Sequence, residues 1–125
     1  MKIKLGELKL KHDGIAEILN VPLPVKTAYW LSKWAVRLES ELLVFDKLRL
    51  ELIRKHAKSL DVDGNPTRLE GSNQYNVDYE AFAEEYTPLA NEEVEIDLRP
   101  IKLEALGDVQ VSPGTMAKLG EIIEE

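Results

Sequence analysis

At 125 residues and 14.2 kDa, the chain has the length of a single domain, 1–125. It is 44% hydrophobic and 31% charged, enough for a modest core, and its lack of cysteine excludes a disulfide framework, a thiolate metal site and a cysteine nucleophile. The formal charge of −7 is unevenly spread: residues 25–60 carry eight basic side chains against four acidic ones, and residues 61–125 carry four against sixteen. General binding to a phosphate backbone needs clustered Lys and Arg, so the overall acidity argues against nucleic acid as a partner. No apolar run approaches the roughly 20 residues of a membrane span. The first residues, MKIKLGELKLKHDG, lack the continuous apolar stretch of a signal peptide. Both observations point to an intracellular protein without a membrane partner.

In chain order, residues 2–10 alternate as a strand, with Ile3 and Leu5 on one side, a phase break at Gly6, and Leu8 and Leu10 resuming it. Asp13 is placed to cap a short helical turn through Ile15, Ala16, Ile18 and Leu19, which Val21-Pro22-Leu23-Pro24 then stops. From Val25 to about Leu60 there is neither proline nor glycine. A helix of that length would extend roughly 54 Å at 1.5 Å per residue. A spherical globule of this chain length has a diameter of only about 36 Å. Such a helix must kink, protrude or lie along a partner.

Its faces support the last possibility. One broad apolar face collects Ala28, Leu31, Trp34, Ala35, Leu38, Leu42, Phe45, Leu52 and Ile53, the expected core side. A second stripe, Val25, Tyr29, Val36, Leu43 and Leu50, runs along nearly the opposite side, with Trp30, Val44 and Leu48 as a third, narrower line. Tyr29, Trp30, Val36, Leu43 and Leu50 are the expected oligomer or partner surface, and Trp30 and Trp34, four apart, are spaced to stack.

Residues 61–77 are dense in turn formers and read as a surface connection with a small hairpin around Asp63-Gly64. An acidic half, 78–125, follows. Asp78 caps a helix through Tyr79, Phe82, Ala83 and Tyr86, which Pro88 should kink or end. Residues 93–99 alternate as a strand with Val94, Ile96 and Leu98 inward. Ile101–Leu106 is a short step closed by Gly107, and Val109 and Val111 suggest one more strand. Ser112-Pro113 starts a last helix with Met116, Leu119, Ile122 and Ile123 inward. The expected fold class is α+β: one long helix and two shorter ones packed with a small antiparallel sheet.

Candidate chemistry is sparse. With Ser59 as position one of a calcium loop, Asp61, Asp63, Gly64 and Glu70 fall on positions three, five, six and twelve. Ser59 and Pro66 depart from that pattern and no helix follows Glu70, so an acidic turn is the simpler reading. Glu93, Glu95 and Asp97 share one strand face, either solvated or set against a basic surface. Arg49 lies on the broad apolar face between Phe45 and Leu52, where it must either snorkel to the edge or pair with a carboxylate such as Glu93, Glu95 or Asp97. His56 on that face reads as a core or edge residue. No phosphate loop, nucleophile elbow or histidine pair is present, and no catalytic group, cofactor, metal or small-molecule substrate is expected.

Leu23–Leu31 (LPVKTAYWL), Phe45–His56 (FDKLRLELIRKH), Val94–Val109 (VEIDLRPIKLEALGDV) and Ser112-Pro113 together resemble a family of short, uncharacterised proteins encoded in tailed bacteriophages and prophages. The resemblance covers roughly residues 20–123; Pro66 and Pro88 depart from the family's pattern. It implies viral origin, carries no known activity and transfers no catalytic or binding residue. The expected function is therefore non-enzymatic protein–protein association: a homo-oligomer, or a partner of other phage proteins, in the virion or its assembly and present in the host cytoplasm during infection. The alternative is a small acidic regulator or inhibitor presenting residues 78–97 as a nucleic-acid-like surface. A calcium-binding module is the remote third.

Overall fold

The computed structural model describes residues 1–125. The chain runs β1 (Lys2–Lys4), α1 (Leu8–Ile18), α2 (Val25–Lys55), α3 (Tyr79–Asn91), β2 (Glu93–Glu95), β3 (Ile101–Lys102), α4 (Pro113–Leu119) and β4 (Ile123–Glu124), with short 3-10 turns after β1, β3 and α4. This is an α+β fold in which helices, one of them long, pack with very small sheets. β1 and β2 pair antiparallel with Ile3 opposite Val94, as expected, whereas β3 and β4 pair in parallel. Three shorter helices accompany α2, because the short helical turn expected at Ile15–Leu19 is the end of a full helix that begins at Leu8.

That helix, α1, takes in residues 8–10, which the sequence reading assigned to a strand. The Lys/Leu alternation of residues 8–11 fits a strand as well as a helix, but Leu8, Lys11, Ile15 and Ile18 recur at helical spacing and all four are buried. Leu10, inward in the strand reading, is half exposed. Asp13 therefore sits inside the helix, 3.3 Å from Lys9 one turn back, and caps nothing. α1 packs against both α2 and α4.

The core is built on the broad face of α2: Leu31, Trp34 and Leu38 are wholly buried, with Phe45 and Ile53 further along. Ile3, Leu8, Ile15, Ile18, Ile96, Leu119 and Ile122 form one cluster with Leu31, Trp34, Leu38 and Phe45, to which Ile53 does not belong. Two polar groups fasten α2 to the segment on either side of β3. The Trp34 indole N–H donates to the Arg99 carbonyl at 3.0 Å, and the Thr27 hydroxyl donates to the Ala105 carbonyl at 2.6 Å.

α2 stops at Lys55 rather than near Leu60, although nothing in its sequence breaks it. Residues 57–77 form a cap in which the Lys58 amide donates to the Asn76 carbonyl (2.8 Å) and the Thr67 amide to the Ser59 carbonyl (3.2 Å). Leu60 and Pro66 pair across the expected Asp63-Gly64 turn. Backbone groups that would have continued the helix are taken by these non-local partners. The helix that remains is roughly 46 Å long, still more than the chain's own globule diameter.

Asp78 caps α3, accepting from the Ala81 amide at 3.3 Å. The helix does not end at Pro88 but continues to Asn91. Phe82 stacks on Tyr86 (5.1 Å), which tilts against Phe45, whereas Tyr79 is exposed rather than inward. No strand forms at Val109 and Val111, which are half-buried against the core. Ser112 caps α4 as expected, its hydroxyl oxygen accepting from the Thr115 amide at 3.1 Å, but α4 ends at Leu119 and Ile123 belongs to β4.

The C-terminal stretch is held by charge. The buried Lys11 reaches Glu121 at 3.1 Å, and Glu17 accepts from Lys118 (2.6 Å) and from the Thr115 hydroxyl (3.0 Å). Gly120, at φ +51, lies over the Lys11 ammonium, where a Cβ would come within 2.9 Å of Nζ. Gly14 is the closest point of the α1–α4 crossing, where a Cβ would stand 2.9 Å from the Lys118 Cβ. Gly14→Val should therefore lower the free energy of unfolding by about 1–3 kcal/mol through overpacking. Gly114→Ala, where a Cβ meets nothing closer than 3.9 Å, should hold or raise it. Urea titrations of the two variants check the contrast; equal midpoints would refute this account of the crossing.

Candidate functional site

Two surfaces stand out, and both involve α2. The first is its outer face. Tyr29, Trp30, Val36, Leu43 and Leu50 are all exposed, from 43% at Trp30 to 68% at Val36, and Val25, Val44 and Leu48 join them. The second stripe read from the sequence is thus not core. Trp30 does not stack on Trp34; its ring meets Tyr29 edge-on at 5.3 Å, while Trp34 is buried. The Lys33 ammonium lies over the Tyr29 ring, 5.4 Å from its centroid.

The extent of exposure is unusual for the mass. A folded monomer of this size is expected to present roughly 6,800 Å² to solvent. This one presents 8279 Å², with 19 of 125 residues buried.

The second surface is a groove of about 730 Å³ between the first turns of α2 and residues 95–102. Trp30 forms one wall, and Leu98, Pro100 and Ala105 supply other apolar surface. Its charged groups are partly spent: the Met1 amine lies 2.9 Å from Glu95, and Lys102 lies 3.2 Å from Glu124. Lys26, Asp97 and Arg99 have no ion-pair partner. The Thr27 hydroxyl is committed to Ala105, and the groove contains no histidine.

The charge pairing sketched from the sequence is arranged differently. Arg49 is more than a third exposed and its Nε lies 3.5 Å from Asp46 on its own helix, not near the strand carboxylates. It has snorkelled to the edge, where a full desolvation cost does not arise. In the antiparallel ladder Glu93 stands opposite Lys4 and Glu95 opposite Lys2, so the acidic strand face meets the basic alternation of β1. Glu95 also offers its carbonyl to Arg37 at 3.3 Å, and Asp97 remains exposed.

The calcium-loop positions do not form a site. The Asp61 carboxylate accepts from the amides of Asp63 and Asn65, both at 2.9 Å, which makes it the brace of a turn. No group of three or more His, Asp or Glu side chains is placed to hold a metal ion. No helix is long and apolar enough to cross a membrane.

The sequence reading missed Glu85. It joins α3 to the end of α2, accepting from Lys55 at 2.8 Å and bonding His56 through its other oxygen. The Lys55 hydrogen bond, reinforced by His56, holds the Glu85 carboxyl below the usual carboxylate range. Glu17, through Lys118 and Thr115, and Glu121, through its own backbone amide and Lys11, are lowered likewise. No residue spacing announces a contact between positions 29 apart; it exists because the cap turns the chain back.

No family model matches the chain, and no curated protein or solved structure matches it.

A carboxylate lowered in the folded state stabilises it above the unfolded value and loses that contribution as pH falls through the folded one. Glu85→Gln should therefore be less stable than the parent at pH 7, and the gap should close as pH falls below 4.5. Denaturant midpoints across that range check it; a gap independent of pH would mean that the bond contributes only through shape.

Proposed function

We propose that the chain is a phage-encoded, non-enzymatic protein that works by self-association along α2, as a structural or assembly component of the virion. The observation that carries this reading is the row Tyr29, Val36, Leu43 and Leu50, exposed on the outer face of the longest helix. Large apolar side chains exposed in a row along one helix face, rather than scattered singly, are the kind of surface that a partner covers. The phage origin rests on the LPVKTAYWL lead into α2 and the VEIDLRPI segment, together with the later LGD and Ser112-Pro113. On this reading the chain acts in the host cytoplasm during infection, and its partners are further copies or other phage proteins.

Light scattering at micromolar concentration should give a multiple of 14.2 kDa. Leu43→Lys with Leu50→Lys should return that mass to the monomer while circular dichroism keeps its helical signal. A monomeric parent would sink the proposal, and global unfolding of the variant would mean that the stripe supports the core. Mass spectrometry of purified particles then separates a virion component, present in fixed copy number, from an assembly factor found only in the lysate.

A second reading is favoured by a different observation. Glu80, Glu84, Glu92, Glu93 and Asp97 are exposed and have no ion-pair partner. A small acidic regulator would use such carboxylates to engage a basic protein. Its complex should weaken steeply between low and physiological salt, since exposed charge pairs are screened over a Debye length of about 8–10 Å. Binding that ignores salt would remove this alternative.

A further inference from the structure

The flanks of the exposed stripe specify how two copies would meet. Three residues on from Tyr29, Val36 and Leu43 stand Ser32, Glu39 and Asp46; four residues on from Tyr29, Val36, Leu43 and Leu50 stand Lys33, Ser40, Lys47 and Arg54. At 100° per residue these two rows lie on opposite sides of the stripe. One edge is therefore acidic and the other basic, with Glu51 as the one acid on the basic side. Lys33, Glu39, Lys47 and Arg54 have no ion-pair partner within the molecule, and Asp46 has only Arg49 at 3.5 Å.

Symmetry converts this into a direction. Two copies related by a two-fold axis along α2 bring the acidic edge of each against the basic edge of the other, with Asp46 level with Lys47 of the second copy. A two-fold axis across α2 brings acid to acid and base to base. Isologous contacts admit only these two arrangements of side-by-side helices, and like charges set together across an interface oppose association. We infer that α2 associates with a second copy of this chain in parallel and in register. The inference rests on the self-association proposed above.

The area follows from the length of helix left clear. The cap residues Asn65, Pro66, Arg68 and Tyr75 flank Leu50 and Arg54, so the clear length runs from Val25 to Lys47, roughly 35 Å, and a contact strip about 11 Å wide gives about 380 Å² per copy. The charged edges and the Trp30, Val44 and Leu48 line extend that strip toward the roughly 800 Å² per partner of a stable interface. A parallel pair also sets both Trp30 grooves at one end and both 57–77 caps at the other, so the assembly has distinct ends and displays two grooves side by side.

Because the chain has no cysteine, introduced thiols report the direction without interference. Tyr29 and Leu50 lie roughly 31 Å apart along the helix. In the parallel pair Tyr29→Cys and Leu50→Cys each form a covalent dimer with themselves under mild oxidation, and a mixture of the two yields little cross-linked heterodimer. In the same arrangement Asp46→Lys weakens dimerisation by roughly fivefold, from the charge contacts it inverts. Asp46→Lys with Lys47→Glu restores it. A dimer that cross-links mainly between Tyr29→Cys and Leu50→Cys chains, or that Asp46→Lys tightens, overturns the parallel direction while leaving self-association standing. A parent that is monomeric by light scattering overturns both.

Discussion

The buried indole of Trp34 is the contact on which the rest of the molecule depends. It is the largest wholly buried side chain, and its one polar atom is satisfied by the Arg99 carbonyl. Burying that ring commits α2 to face residues 96–101, and β2 and β3 take their positions from where that segment lies. Thr27 repeats the fastening two turns earlier at Ala105. With this face of α2 consumed by the core, its opposite face is left exposed from Tyr29 to Leu43, and only near Leu50 and Arg54 do residues of the 57–77 cap flank it. Core and exposed stripe are two results of one constraint.

The cap at residues 57–77 plays the complementary part. It ends α2 by capturing backbone amides and turns the chain so that α3 returns alongside. Glu85 then locks the corner by holding Lys55 and His56 together. Charge does similar work at α1 and α4, where Lys11–Glu121 and Glu17–Lys118 join distant parts of the sequence. An acidic half and a basic middle are reconciled partly inside the molecule, but not on the outer face of α2, where both signs remain unspent.

Much of this was legible from residue order, and the parts that were not share a cause. The core face of α2, the Asp78 and Ser112 caps and the inward Ile96 followed from periodicity and capping chemistry, which are local. The outer stripe was also visible as a pattern, though only packing could show that it is exposed. The errors fall where non-local contacts decided between two permissible local forms. Residues 8–10 alternate well enough for a strand, yet the neighbours α2 and α4 made them helix. Residues 56–60 are helix-compatible and were taken by the cap. Arg49 found a carboxylate on its own helix, and Glu85 was missed because its partners lie 29 and 30 residues away.

The pairing of Met1 with Ile96 and of Lys11 with Glu121 has a kinetic side. These contacts span 95 and 110 residues, whereas α2 is made wholly from bonds four residues apart. Closing a long loop costs entropy before any contact repays it, and topologies with distant pairings fold slowly for their size. Helix α2 can thus form while the two ends of the chain are still unjoined, and both of its apolar faces are then open to solvent. The order of events then matters as well as the final affinities: until the two ends of the chain close over Trp34, the inner face of α2 is as open to solvent as the outer face that carries Leu43.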